Sequence, residues 1–384
     1  MGGEHCSPGR PRRYSEPVQW VTGLEQTWPA VRSMLAGGPP VVAVPKGVRP
    51  TVLRPSEPLD VADAGAVLLT SGSSGPHKAV VLTRSAMRAA ARATAERLGD
   101  EAITWTCALP THFVAGFMVL VRAALSGREP FFAEPDLSNL HHAPGTNAIS
   151  IVGTQLYRVL DEEDRLAKLR RIQHILVGGS AVDEAQLRRA REAGLNIITT
   201  YGMSETCGGC VYDGVPLTGV EVETRPRDDL AEGEGQVFLR GPQLFTGYRC
   251  DPAATRDALV DGWLRTQDRG RLVDGRLEIA GRLDDVVISG GVNIDLAQVQ
   301  RAVQAIHLHA LVAAVPDEEW GVRLVLLDTS DRTLESWRDN LSGALPRTWL
   351  PRARVHVEHL PLTDRGKLDR ASVQALCASA AGDR

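Results

Sequence analysis

Long apolar runs are missing from this chain. No stretch approaches the about 20 consecutive apolar residues that a membrane-spanning helix requires, so a bilayer span is not expected. The opening MGGEHCSPGRPRRYSEP has no apolar centre of the kind a secretory signal carries. Its Pro, Gly and Arg content predicts a frayed start to about Glu16, and a cytoplasmic location is the expectation. A large charge of either sign is missing too. The chain has 43 Lys and Arg against 47 Asp and Glu, net −4, so no basic balance points to nucleic acid or an anionic membrane. Cysteine is scarce, with 6 in all, and only Cys207 and Cys210 are close, as C-G-G-C. A lone CxxC is a weak zinc or redox signal. Buried free thiols in a reducing compartment are the favoured reading. There is no internal repeat.

The 384 residues are 43% hydrophobic and 23% charged, as in a soluble globular protein with material for two domains. Up to about residue 280 the pattern is α/β. AVLLT reads as a buried strand, and RSAMRAAARATAERL as a helix stopped by Gly99. IQHILVGG, VDEAQLRRAREAG and LNIITTYG read as strand, helix and strand, with Gly194 ending the helix. Such a run implies a parallel βαβ unit, whose ligand-carrying loops follow strand ends. The Gly/Ser/Thr-rich loops 70–76, 178–181 and 200–209 hold such places. Beyond 280 the texture changes to a small α+β region. DLAQVQRAVQAI puts Leu296, Val299, Val303 and Ile306 on one helical face with Asp295 as N-cap, and RVHVEHL alternates like a strand buried on one face. The expected domains are 1–283 and 284–384, with the boundary at about Asp284.

In LLTSGSSGPHKAVVLT an apolar strand enters Thr70, Ser71, Gly72, Ser73, Ser74 and Gly75, with Lys78 just beyond. Backbone N–H groups, hydroxyls and little bulk make a cradle for phosphate oxygens. A flexible linker has the same composition. The spacing fits neither a Walker loop nor a G-x-G-x-x-G turn.

Taken with TYGMSETCGG, GWLRTQDRGRL, GRLDDVVISGG and PLTDRGKLDR, in this order, the loop closely resembles the acyl-adenylate-forming superfamily. The resemblance runs from about residue 65 to about residue 370. It implies an α/β fold, with a large N-terminal domain of layered sheets and helices and a small mobile α+β C-terminal domain. LPTHFVAG followed by VLVRAALSG, with TYGMSETCGGCVYDGVPL, narrows the likeness to the short actinobacterial o-succinylbenzoate–CoA ligases of menaquinone synthesis. The implied enzyme is an AMP-forming acid–thiol ligase. A carboxylate attacks the α-phosphate of ATP, and the thiol of coenzyme A then displaces AMP.

By resemblance, Thr70 to Gly75 and Lys78 close over the β- and γ-phosphates. Gly178, Gly179 and Ser180 line the acyl and adenine pockets. Tyr201 stacks on adenine beside Gly202, Thr206 contacts the α-phosphate, and Glu205 helps hold Mg²⁺. A flat aromatic suits a purine face, and a hard cation on phosphates takes one or two protein carboxylates. Asp268 would accept from the ribose hydroxyls, with Arg282 nearby; Gln267 stands where the family usually has Gly. Asp284 matches the hinge about which the small domain rotates. Gly290 and Gly291 would line the CoA tunnel, and they equally suit a tight turn between strands. Lys367 is implied to meet the reacting carboxylate and the α-phosphate. For the acid itself Arg122, His112, Gly178 and Gly208 are the candidates. A buried arginine on an apolar helix wants an anion, either a structural carboxylate or the second carboxylate of the substrate. Phe113 stands where related chains often have His, with His112 beside it.

Two alternatives remain at this point. One is another adenylate-forming ligase, using a different acid or a carrier protein. The other is a non-catalytic nucleotide-binding relative. The short segment before the phosphate loop implies a trimmed first subdomain, and with it a homodimer.

Overall fold

The structure, a computed structural model, describes residues 18–382 apart from 46, 48–52, 54–58, 60, 71–77, 181, 183, 229, 231 and 362–368. Its contacts fall into two compact units. The first comprises Met1–Glu223, Phe238–Thr266 and Leu272–Leu277. The second comprises Thr224–Val237, Gln267–Arg271 and Glu278–Arg384, so that Asp284 lies inside it.

The first unit is layered α/β, as expected. One sheet runs Gln19–Thr22, Val41–Val44, Ala64–Leu69, Ala79–Thr83 and Gly247–Tyr248. A larger one has seven strands, in the order Val215–Pro216, Gly208–Tyr212, Ile197–Met203, His174–Gly178, Asn147–Val152, Thr104–Cys107 and Phe131–Phe132. The sequence from strand His174–Gly178 through helix Glu184–Glu192 to strand Ile197–Met203 is the anticipated parallel unit. Strand Ala64–Leu69 is buried along its whole length, as a continuous apolar run requires.

The glycine-rich segment follows strand Ala64–Leu69, which pairs parallel with Val41–Val44. It connects Ala64–Leu69 to Ala79–Thr83, which pair antiparallel. The helix comes only after the hairpin, as Arg84–Leu98. Thr83 caps it by accepting from the Ala86 N–H at 3.0 Å, and Gly99 ends it in the left-handed region at φ 74°. A glycine there avoids the strain that a side chain brings to a left-handed backbone. Helix Val114–Ser126 is apolar on most sides because most of its residues, from Gly116 to Ala123, are buried.

In the second unit, strands Ala310–Asp317 and Gly321–Asp328 pair antiparallel, and Ala353–His356 joins the latter in parallel. Alternation sorts the side chains onto two faces. Ala310, Leu324 and Leu326 pack with Val299, Val303, Trp337 and Leu341, from helices Leu296–Ile306 and Leu334–Leu341. Leu311, Ala313, Val315, Val325 and Leu327 pack with Val373 and Cys377 of helix Arg370–Gly382. Asp295 caps its helix as its position implied, accepting from the N–H groups of Ala297 and Gln298 at 2.9 and 3.2 Å.

Candidate active site

In the first unit the site begins at the base of the glycine loop. The Thr70 N–H donates to the Lys78 carbonyl at 2.9 Å, and the Lys78 N–H donates to Thr70 Oγ1 at 3.1 Å. This pair extends the hairpin ladder by one rung. The loop residues Ser71, Gly72, Ser73, Ser74 and Gly75 lie outside the described residues, as does Lys367.

Beside the hairpin, strand Ile197–Met203 carries half-buried Tyr201 and runs into a single tight turn, Ser204–Thr206. The chain then reverses through Cys207 at φ 53° into strand Gly208–Tyr212. Gly202 lets the chain fold back this tightly, and Gly178 lets the neighbouring strand lie close to Thr200. A Cβ on Gly202 would sit 2.0 Å from the Gly208 carbonyl oxygen, and one on Gly178 would sit 2.2 Å from Thr200 Oγ1. Thr206 is wholly buried. Its hydroxyl accepts from the Met203 N–H at 2.9 Å and donates to the Gly208 carbonyl at 2.7 Å. The hydroxyl expected at the α-phosphate is therefore engaged in holding its own turn. Gly179 and Ser180 are exposed just past the neighbouring strand end.

Glu205 is 9% exposed, and its Oε1 accepts from the Tyr248 hydroxyl at 2.8 Å. The other oxygen, Oε2, accepts no hydrogen bond among the described residues. Lys78 Nζ stands 4.7 Å from the centroid of the same Tyr248 ring. Burial first, and the Glu205 charge second, push the Tyr248 phenol well above its ordinary value, so it stays a donor. A half-occupied carboxylate beside a phosphate-type loop fits a hard divalent cation that keeps most of its ligands as water and phosphate.

Arg122 comes from the apolar helix Val114–Ser126 and is only 6% exposed. It has no ion pair or hydrogen bond among the described residues, and its Nε is buried without a partner. Its guanidinium carbon lies 5.3 Å from the Trp105 ring centroid. Among the described residues no carboxylate forms the structural salt bridge that sequence left open. Arg122 is also felt at the Glu205 turn. Burial raises the Cys207 thiol, and the Arg122 charge acts in the opposite direction. The same helix comes close to Gly208, whose Cβ would lie 4.0 Å from Val114 Cγ2. His112 is half-buried, 4.4 Å from the Phe113 ring. Cys210 is buried, with its thiol pushed up to about 12. Among the described residues no group of His, Cys, Asp and Glu could hold a metal as a cluster.

The remaining candidates lie in the second unit. Arg282 donates twice to Asp284, at 2.7 and 2.9 Å, and stands 3.8 Å from Asp268. The Asp284 bonds are the main cause of its raised pKa. Gly290 and Gly291 form the turn of hairpin Val286–Ser289/Val292–Asp295, at φ 56° and 78°. Two successive positive values are what a tight hairpin turn demands. Gly290 also lies against Trp320, where a Cβ would approach Cε3 to 2.5 Å.

The structure thus joins Lys78 to Glu205 and Arg122 to the 206–208 turn in one unit, and Asp268, Arg282 and Asp284 in the other. Sequence reasoning missed Trp105 and Tyr248. Nothing local marks Trp105, an apolar strand residue. Tyr248 follows a glycine and pairs beside Val80, a placement only the sheet reveals.

A family profile for AMP-binding enzymes matches residues 14–249. The "Probable 2-succinylbenzoate–CoA ligase" of Mycobacterium tuberculosis is 34% identical over 368 residues, covering 90% of this chain and 93% of that one. The 2-succinylbenzoate–CoA ligase of Enterococcus faecalis is 28% identical over 340 residues, covering 81% and 69%. Among solved structures, the fold matches o-succinylbenzoate CoA synthetase from Bacillus subtilis in complex with its acyl-adenylate intermediate. The TM-score is 0.69 at 22% identity, over 92% of this chain and 83% of that one. ATP-bound MatB from Rhodopseudomonas palustris matches at TM-score 0.73 and 20% identity, over 94% and 78%. The fold is shared with these structures, and on its sequence this chain belongs to the AMP-binding enzyme family.

Proposed function

We propose that this protein adenylates o-succinylbenzoate with ATP and passes the acyl group to coenzyme A, releasing pyrophosphate and then AMP. The observation that carries the substrate is Arg122. A guanidinium this buried is costly without an anion. A dicarboxylate supplies one, because only one of its two carboxylates is activated. The relatives named as 2-succinylbenzoate–CoA ligases support the same reading.

In the first half-reaction a carboxylate oxygen of the acid bonds to the α-phosphorus and the bond to pyrophosphate breaks. In the second, the CoA sulfur bonds to the acyl carbon, the bond to the AMP oxygen breaks and the thiol proton leaves. Negative charge grows on oxygens in both halves, so positioning and cations provide most of the catalysis. Arg122 orients the acid by its spectator carboxylate. Lys78 and the loop it anchors meet the terminal phosphates, Tyr201 faces adenine, and Asp268 and Arg282 serve the ribose. Lys367 supplies positive charge to the attacking carboxylate and the α-phosphate. Mg²⁺, when bound, would neutralise phosphate oxygens, with Glu205 as its protein ligand. Asp284 is assigned as the hinge, and Gly290 and Gly291 as the walls of the CoA tunnel. The homodimer and the cytoplasmic location belong to this proposal as well. No helix among the described residues is long and apolar enough to cross a membrane.

The test is AMP release in the presence of CoA across a panel of acids: o-succinylbenzoate, benzoate, succinate and medium-chain fatty acids. Preference for o-succinylbenzoate is expected. Activity on fatty acids alone would overturn the substrate while leaving the family unchanged.

A further inference from the structure

Tyr248 touches both Glu205 and Lys78. It sits on the short strand Gly247–Tyr248, paired to Val81 and Val80 of the hairpin leg that begins just after Lys78. Its backbone is fixed on both sides. The Tyr248 N–H donates to Thr255 Oγ1 at 2.9 Å, the Arg249 N–H donates to the Ala79 carbonyl at 2.8 Å, and the Thr246 N–H donates to the Val81 carbonyl at 3.1 Å. The ring is buttressed edge-on by Phe245 at 4.9 Å, and the Phe245 N–H donates to the Glu205 backbone carbonyl at 2.8 Å. A side chain clamped in this way has little freedom in where its hydroxyl points. That hydroxyl points at Glu205 Oε1, 2.8 Å away, while the ring face carries the Lys78 ammonium 4.7 Å from its centroid.

We propose that Tyr248 is a positioning residue for the nucleotide's metal. By donating to one oxygen of Glu205 it fixes the carboxylate plane and leaves the other oxygen for the cation, and its ring face holds Lys78 at the base of the phosphate loop. A carboxylate free to rotate would have to be ordered each time metal–nucleotide binds. One already held by a phenol does not bear that entropic cost. A phenol suits the task because it donates a single hydrogen bond and also offers a cation-binding π face. This inference rests on the reading of Glu205 as the metal-facing carboxylate.

The test uses the full chain, with Mn²⁺ in place of Mg²⁺, ATP, and no acid or CoA. Free Mn²⁺ is followed by electron paramagnetic resonance. Tyr248→Phe keeps the ring and removes only the hydroxyl. It is expected to weaken Mn²⁺–ATP binding by about 10- to 100-fold, the usual loss when the partner of a metal ligand is removed. ATP binding in EDTA and the KM for the acid should stay at parental values, and the thermal midpoint should fall by no more than the loss of one hydrogen bond to a buried carboxylate allows. Glu205→Gln should weaken Mn²⁺–ATP binding by itself, and adding Tyr248→Phe to it should cost little more, because the hydroxyl then has no carboxylate to position. Parental Mn²⁺–ATP affinity in Tyr248→Phe would overturn the inference alone. So would full additivity of the two changes, which is the mark of a merely structural side chain. Failure of the parent protein to bind Mn²⁺–ATP would overturn both the inference and the ligase reading beneath it.

Discussion

Arg122 is where the physics of a single residue says most. Its charge is almost wholly withdrawn from water, and the Trp105 ring face replaces only part of what hydration supplied. If a substrate carboxylate completes the site, Arg122→Gln should cost about 2–4 kcal/mol, roughly 30- to 1000-fold in kcat/KM for o-succinylbenzoate. Benzoate, with no spectator carboxylate, should lose little. Steady-state kinetics on the two acids checks this, and equal losses would assign Arg122 to the fold instead. Lys367 is the second residue-scale test. Lys367→Ala should slow adenylation by about 10²–10³, the scale of one removed charge-stabilising group. Thioester formation from pre-made adenylate should be far less affected, and single-turnover measurements of each half separate the two. Arg122 was legible in the sequence because a charge inside an apolar helical run violates the pattern. Trp105 and Tyr248 were not, because each is an ordinary strand residue until tertiary contacts define its neighbour.

At the scale of elements, Asp295 links a hairpin, a helix and a buried cation. It closes hairpin Val286–Ser289/Val292–Asp295, caps helix Leu296–Ile306, and pairs with Arg269, which also pairs with Glu234. Arg269 is 3% exposed. Asp295→Ala should therefore destabilise the second unit by on the order of 3 kcal/mol through the weakened buried pair, with about 1 kcal/mol more from the lost cap. Asp295→Asn should recover only the cap share, since its amide oxygen can still accept from Ala297 and Gln298. Urea unfolding of the three proteins measures it. The cap could be anticipated, because Asp before an amphipathic run is a local signal. The ion pair could not, since Arg269 and Asp295 are joined only when separate segments fold together. The glycine loop divides in the same way. Its composition is that expected of a phosphate cradle, but its setting between antiparallel strands depended on which strand the AVVLT run paired with.

Over the whole molecule, the buried ionisable groups set the pH range of stability. Burial raises the thiols of Cys107 and Cys210 from an ordinary 9.0 to about 11 and about 12. The folded state keeps these protons while the unfolded state loses them above about pH 9, so stability is full below that value and declines as pH rises toward 11–12. On the acid side, burial works to raise Asp328, but hydrogen bonds from Arg354 and Ser330 overcome it and hold it below its ordinary 3.8. Its contribution is present above that value and fades as pH falls through the lowered one. Thermal melts across pH should show both shoulders. At pH 8 a thiol reagent should modify exposed Cys250 in the native protein and spare the buried Cys107, Cys207 and Cys210. The sequence by itself determined the family and the α/β class, because motifs, caps and apolar periodicity are local and survive being read in one dimension. Only the tertiary structure decided which groups share an environment. It left Arg122 without an anion among the described residues, set Tyr248 between Lys78 and Glu205, and closed the second unit around Arg269. Burial and pairing arise from residues distant in the chain, and no short stretch of sequence encodes them.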